Sequence, residues 1–403
     1  MAARKTQVKK ITSREDYCSK IMQIAKKQTL TITNGKKQIE VPVRVPVAGQ
    51  LVTIDALNYV TSISSYDHGN SVNDENYFES FIRNPEHTDD EKNKVADELA
   101  DEIAITLGQL FGKPFTEIRR NVKGLHGYKY QYTIGHDDYT LGKVAFGGNK
   151  STVLIMITGK GCYEAKETWE YFLYDWLNNQ EKAKITRIDL ALDDFDGEFS
   201  SAEQANTADS QNKFSLNNRQ PKVQHLGNWK RHEGEGRTIQ VGKRENGKMY
   251  RGYEKGKQLG DPEHPWFRSE IEFKNKDRIL PLEMLINPTD YFAGAYPYAL
   301  ELIEYKHKEI FQTCKKIETQ KVESEISFHK AVSIMKKQFG KYIKTFRELL
   351  PQDDKDTIII DLIQTDKAHD YVPKRLRVTD SYFQKLAGLA EPVNHCDFCP
   401  IPI

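Results

Sequence analysis

Three short stretches carry residues whose types and spacing could do chemistry together. The first is Thr186-Arg187-Ile188-Asp189-Leu190-Ala191-Leu192-Asp193-Asp194. On a β-strand, side chains alternate between faces, so Ile188, Leu190 and Leu192 point into a core while Arg187, Asp189, Ala191 and Asp193 share the other face. The small Ala191 leaves space between the two carboxylates, and a hard divalent cation such as Mg²⁺ or Mn²⁺ prefers such oxygen donors. Asp189 and Asp193 stand about 13 Å apart along a straight strand, so each needs a carboxylate partner from a neighbouring strand. The second stretch, Trp266-Phe267-Arg268-Ser269-Glu270-Ile271-Glu272-Phe273, offers such partners: Phe267, Ile271 and Phe273 face one way, and Arg268, Glu270 and Glu272 the other. Taken singly, each pattern also fits a solvated sheet face of alternating charge.

Between them, residues 237–242 and 248–255 read as a hairpin across Glu245-Asn246-Gly247. On its second strand Met249, Arg251, Tyr253 and Lys255 share a face, and Tyr250 lies on the opposite one. Only about a thousandth of a free phenol is ionised at neutral pH. Neighbouring cations or a metal lower a phenol's pKa, which would make Tyr253 a nucleophile, with Arg251 and Lys255 holding a phosphate and its developing charge. The product would be a phosphotyrosine and a free 3′-OH. A tyrosine on a strand is also ordinary packing, and the hairpin alone does not separate the two readings.

The elements that must position these residues form two series. In the first, residues 52–60 (VTIDALNYV) read as a strand. A helix follows, opened by Asp89-Asp90-Glu91, with Val95, Leu99, Ile103 and Leu107 every four positions and Gly112 as its stop. Strands are expected at 128–134, 141–146 and 152–158. A second helix begins after Gly159 and Gly161, with Trp169, Phe172, Leu173, Trp176 and Leu177 on one face, and leads to the strand at 185–193. The second series comprises a short helix at 201–208, the hairpin, the strand at 267–274 and a helix starting at 281–286. The fold class is therefore α+β: antiparallel sheets in two split-βαβ-like units with helices on one face. Long polar helical stretches at 302–317 and 321–350 add a helical C-terminal subdomain. The expected division is a basic, partly helical arm at 1–45, a catalytic domain at 46–300 and a mainly helical region at 301–403.

Composition sets the outer limits. A chain that is 38% hydrophobic and 29% charged folds in water. No apolar run approaches the roughly 18–20 residues of a membrane span. The basic N-terminus MAARKTQVKK leads into no hydrophobic segment, so no secretory signal is expected. Five cysteines, odd in number and mostly far apart, argue against a disulfide framework and for a reducing cytoplasm. The net charge is only +1, but it is segregated: residues 1–50 carry 11 Lys/Arg against 3 Asp/Glu, 211–260 carry 12 against 4, and 71–105 carry 3 against 11. Such segregation permits a basic groove on a neutral protein. Arg119-Arg120 and the following Lys123, His126, Tyr128, Lys129 and Tyr130 interleave bases with aromatics and could meet single-stranded DNA, or form a solvated strand edge. In the tail, Cys396 and Cys399 with His395 make one zinc-like pair, short of four ligands.

Read in order, RIDLALDD, RTIQVGKRENGKMYRGYEKGKQLGDPEHPWFRSEIEFKNKDR and DYFAGAYPY resemble the Rep_trans replication initiation factor family. LGDPEHPW and AGAYP are most similar to its phage-type members, and VAFGGNKSTVLIMITGKGC extends the likeness over roughly residues 50–300. The resemblance implies rolling-circle replication initiators and related relaxases, which nick and rejoin origin DNA through a tyrosine with a divalent metal. Carried over by position, it implies Tyr253 as the nucleophile, with Tyr250 in reserve. Asp189, Asp193, Glu270 and Glu272 become the metal set, and Arg187, Arg237, Lys243, Lys257 and Arg268 the DNA contacts. The sequence has no His-x-His pair, so carboxylates must gather the metal. It also has no Walker A pattern, so a host helicase would unwind for the polymerase, and the family's plasmid initiators imply a homodimer. Two other classes remain: a DNA-binding regulator that has lost catalysis, and a nucleotidyl transferase with Asp189 and Asp193 in a palm-like site.

Overall fold

The computed structural model describes residues 29–47, 49–66, 75–136, 139–215, 220–231, 234–276, 278–304, 317, 326–349 and 376–377. The chain divides into two compact units, 1–320 and 321–403. The described part of the first unit begins with a hairpin, β1 (Thr29–Asn34) and β2 (Lys37–Pro42), which pair antiparallel as Ile32↔Ile39. Alternation explains it, since Ile32 and Val41 are buried core residues while their neighbours are exposed. The described part of the expected arm is thus a strand pair.

Strand β3 (Thr53–Ser62) follows, then helices α1 (Glu75–Arg83) and α2 (Asp89–Phe111). The start of α2 is fixed by a capping box: Thr88 Oγ1 accepts from the Glu91 amide, and the Glu91 carboxylate accepts from the Thr88 amide. Its stop is Gly112, whose φ of 104° a side chain would resist. Val95, Leu99, Ile103 and Leu107 are all buried, at about 1.5–3 kcal/mol each. The helix lies against β5, where Tyr132 Oη donates to Asp97 (2.7 Å).

The remaining strands of the first series are β4 (Ile118–Arg120), β5 (Tyr130–His136), β6 (Tyr139–Phe146) and β7 (Thr152–Ile157). The expected second helix is two: α3 (Gly159–Glu164) and α4 (Trp169–Asn178). Trp169, Leu173 and Leu177 are buried, but Phe172 is half exposed, so the buried stripe of α4 is narrower than expected. Then come β8 (Lys184–Asp194), α5 (Ala202–Ser210), β9 (Val223–Leu226), β10 (Thr238–Lys243), β11 (Lys248–Glu254), α6 (Lys255–Gln258) and β12 (Phe267–Lys274). The β10–β11 turn is a 3₁₀ turn at Arg244–Asn246 closed by Gly247 at φ 74°. The helix expected from 281 starts as a 3₁₀ turn at Leu282–Leu285, and α7 (Pro288–Ala293) and α8 (Pro297–Glu304) follow.

The two series do not make separate sheets. They join edge to edge through β3 and β8 into one ten-stranded antiparallel sheet, in the order β4-β5-β6-β7-β3-β8-β12-β11-β10-β9. A single contiguous core takes in residues of both halves, from Leu57, Tyr59 and Ile155 to Ile188, Leu190, Ile271 and Tyr250. On the opposite face, Val60, Tyr128, Ala145 and Leu154 form a small second cluster among the described residues. The second unit contains the parallel pair β13 (Ile326–Ser327) and β14 (Leu376–Arg377) and the helix α9 (Phe328–Leu349). The tail with Cys396 and Cys399 lies outside the described residues. Among those described, no helix is long and apolar enough to cross a membrane.

Candidate active site

The register of three strands assembles the polar face. Across β8 and β12, Asp189 stands opposite Glu272, Ala191 opposite Glu270, and Asp193 opposite Arg268. Across β12 and β11, Glu270 stands opposite Arg251 and Arg268 opposite Tyr253. Alternation thus brings Asp189, Asp193, Glu270, Glu272, Arg251 and Tyr253 to one face, as their sequence pattern predicts. Tyr250 is on the other face, fully buried against Phe214 and Tyr298, with its hydroxyl 3.0 Å from Ser269 Oγ.

The carboxylates are buried and each meets a guanidinium. Asp193 accepts from Arg268 Nε and Nη2 (both 2.7 Å) and from Trp266 Nε1 (2.6 Å). Asp189 accepts from Arg187 Nε (2.8 Å), and Arg187 also lies 2.9 Å from Glu272 Oε2. That last contact is an ion pair without hydrogen-bond geometry, because Glu272 Oε2 is buried and accepts no hydrogen bond. Glu270 pairs with Arg251 through one oxygen and accepts from Tyr253 Oη through the other (3.3 Å). Burial raises Asp189 to about 6 against the pull of Arg187, with Glu270 and Glu272 adding to the rise. Burial likewise raises Tyr253 to about 12, opposed by Arg268 and Arg251 and reinforced by Glu270 and Asp193. The sequence pattern predicted the reverse shift for this phenol. Desolvation outweighs the cations, so the phenol needs a proton acceptor, and Glu270 is in contact.

Lys255 is not on the strand. β11 ends at Glu254 and Lys255 opens α6, yet its ammonium still sits 5.7 Å from the centre of the Tyr253 ring. Burial, with Arg268 beside it, lowers Lys255 to about 8. Two residues that the sequence reading left out complete the face. Asp55 sits at an irregularity in the β3–β8 pairing between Ile54 and Ala56, and its carboxylate accepts from Arg268 Nη1 (2.6 Å). Arg44, from the connector after β2, pairs with the same Asp55. The only hint in the sequence is an Asp inside the apolar run VTIDALNYV.

The expected DNA cations divide sharply. Arg268 is buried between Asp193 and Asp55, and Arg237 is buried between Glu254 and Glu203. Against the burial that would raise it, Arg237 and Lys257 hold Glu254 at about 2. Arg237 and Arg268 are therefore internal ties rather than surface cations, and Lys257 is held by Glu254 (2.9 Å). Arg187 is partly exposed above the carboxylates, and Lys243 is exposed. Of the Arg119 to Tyr130 stretch, Arg120 pairs with Asp97 of α2 (3.3 Å), on the helix side of the sheet.

By type, Asp189, Glu270 and Glu272 are the oxygen donors a hard divalent cation takes, and Glu272 Oε2 accepts no hydrogen bond, while burial, with Glu270 and Glu272 adding to it, raises the proton affinity of Asp189. Asp193 does not suit it as it stands, since three donors saturate its carboxylate. Among the described residues, no group of three or more His, Cys, Asp or Glu side chains is gathered closely enough to hold an ion.

No curated protein matches the sequence. Among solved structures, the chain is similar to a rolling circle replication initiator protein from Geobacillus stearothermophilus. The two are 19% identical over 60% of this chain and 81% of the other, with a TM-score of 0.39. A family model, replication initiation factor (Rep_trans), matches residues 183–363. The match begins at β8, takes in β12, β11 and the hairpin, and leaves the first half of the sheet outside it. That region carries Asp189, Asp193, Glu270, Glu272 and Tyr253 but not Asp55, and over it the chain is similar to the replication initiation factors.

Proposed function

We propose that this protein starts rolling-circle replication by nicking and rejoining origin DNA through Tyr253. One observation carries the reading: the Tyr253 hydroxyl lies on the polar face in hydrogen-bond contact with Glu270, between Arg251 and Arg268, whereas Tyr250 is sealed in the core. In the forward step Tyr253 Oη attacks the scissile phosphorus and Glu270 takes the phenolic proton. The bond from phosphorus to the 3′ oxygen breaks, and that oxygen leaves as a 3′-OH by taking a proton from water. The 5′ phosphate stays on the tyrosine, so the energy of the phosphodiester is kept for rejoining. Lys255 and Arg251 hold the non-bridging oxygens, and Arg268 fixes Asp193 and the floor beneath them. Asp189 and Glu272, with Glu270, would hold a divalent cation, which supplies Lewis-acid stabilisation of the phosphate charge. The 3′-OH serves the host polymerase behind a host helicase.

The test is incubation with supercoiled DNA carrying the origin, with Mg²⁺ or Mn²⁺, followed by a search for nicked circles with protein attached. The expected result is an adduct that requires Tyr253 and is abolished by EDTA. Nicking by Tyr253→Phe at the wild-type rate would remove the nucleophile assignment, and nicking in EDTA would remove the metal. Specific binding without nicking under every metal condition would instead identify a regulator that has lost catalysis.

A further inference from the structure

The same face of the sheet continues past the carboxylates into a groove of about 740 Å³ over β3, β7 and the start of β8. Its floor is apolar and aromatic: Val60, Leu154 and Met156 with the Tyr128 ring. Five of its lining residues are Lys or Arg (Lys150, Lys182, Lys184, Arg187 and Lys274), and none is Asp or Glu. This is the reverse of the carboxylate site, although Arg187 and Lys274 belong to both, each pairing with Glu272.

The rim is built from three turns tied together. Asn149 Nδ2 donates to the His126 carbonyl (3.2 Å), Tyr128 Oη shares a hydrogen bond with Thr152 Oγ1 (2.7 Å), and Lys182 Nζ donates to the Lys150 carbonyl (3.2 Å). Asn149, Lys150 and Ser151 hold φ of 47°, 61° and 57°, and Lys182 holds 57°. Left-handed backbone favours Gly or Asn and costs a lysine about 1–2 kcal/mol. Two lysines kept at such positions, both exposed and both at the mouth of one groove, are not explained by the turns themselves.

We infer that this groove binds single-stranded DNA next to the nick site. Exposed cations track phosphates, and an apolar, aromatic floor takes bases by stacking, a combination that suits an unpaired strand and not a duplex. Continuity gives the direction. Arg187 and Lys184 precede Asp189 on β8 by two and five residues, roughly 7 and 17 Å along the strand. A strand whose phosphate sits at Tyr253 would run along β8 into the groove. Its place in the reaction rests on the nicking reading; its binding of DNA does not.

The test measures binding of labelled oligothymidylate of about 16 nucleotides by fluorescence anisotropy, over roughly 50–200 mM salt. The triple variant Lys150→Asn, Lys182→Asn, Lys184→Gln keeps or relieves the backbone, and its fold is checked by thermal melting. Each lost phosphate contact lowers the slope of log affinity against log salt by about 0.7, so the triple variant should lose about 2. Removing the same charge from exposed lysines that do not line the groove (Lys36→Gln, Lys94→Gln, Lys113→Gln) should leave the slope unchanged. An unchanged slope in the groove variant, an equal loss in the control variant, or an equal loss with a duplex of the same length would overturn the groove. A wild-type protein that shows the lysine-dependent slope but never nicks would keep the groove and remove the Tyr253 reading. Nicking with a lysine-independent slope would do the opposite.

Discussion

One face of one antiparallel sheet is used in two opposite ways. Over β8, β12 and β11 its charges are buried and matched, each carboxylate to a guanidinium. Over β3, β7 and the start of β8 the floor is apolar, and cations stand at its edge, Lys150 and Lys182 on exposed turns and Lys184 at the exposed start of β8. The same pleat supports both because alternation fixes only which face a side chain takes. Depth then decides its use. Buried charges interact strongly and hold fixed geometry, which suits a reacting phosphate. Rim charges act through water and salt, which suits a strand that must slide and leave.

The largest effect expected from this contrast is at Tyr253. Tyr253→Phe should lower origin nicking at least about 10³-fold in a gel assay, in keeping with the loss of a nucleophile. Tyr250→Phe, which removes only a hydroxyl bonded to Ser269, should nick normally. Equal losses would mean that the polar face has no special role. Next is Arg268→Met, which leaves Asp193 and Asp55 without their shared partner and should cost about 3–5 kcal/mol in denaturant unfolding. A cost below about 1 kcal/mol would show that this half behaves like a solvated surface after all.

Asp189→Asn should move stability the other way. The native carboxyl is raised from 3.8 to about 6, so the folded state holds its proton more tightly than the unfolded state. Stability from this group therefore falls as pH rises from about 4 to 6 and stays lost at neutral pH. The amide should recover up to about 3 kcal/mol at pH 7 and nothing at pH 3, read by thermal melting across pH, while metal-dependent nicking falls. The smallest effect concerns Lys255, lowered to about 8 and so charged only below that pH. The KM for an origin oligonucleotide should rise several-fold between about pH 7 and 9, and Lys255→Arg should flatten the rise. A KM that falls with pH would point to a neutral amine as the useful form.

Much of this arrangement was legible in the sequence, because strand alternation and capping are local. The faces of Asp189, Asp193, Glu270, Glu272 and Tyr253, the exclusion of Tyr250, and the start of α2 at Asp89 follow from neighbours in the chain. What a cation will meet is not local. Arg268 and Arg237 read as DNA contacts, yet their partners lie up to 213 and 34 residues away and turn them inward. Asp55 reaches Arg268 from an irregularity in the strand pairing, which alternation does not anticipate. The phenol's shift depends on burial, which no spacing reports. The rim lysines come from separate turns, and only the pairing of β3 with both β7 and β8 brings those turns together.

That pairing also has a consequence for how the protein is made. The bond from Thr53 to the Ala191 carbonyl closes a separation of 138 residues, and Asp55 meets Arg268 across 213. Contacts this distant in sequence form slowly and only once most of the chain is available. A ribosome that has released β3 through β8 still exposes Asp193 and Asp55 without Arg268. The charges that build the proposed site are neutralised last, so that site is complete only when the sheet is.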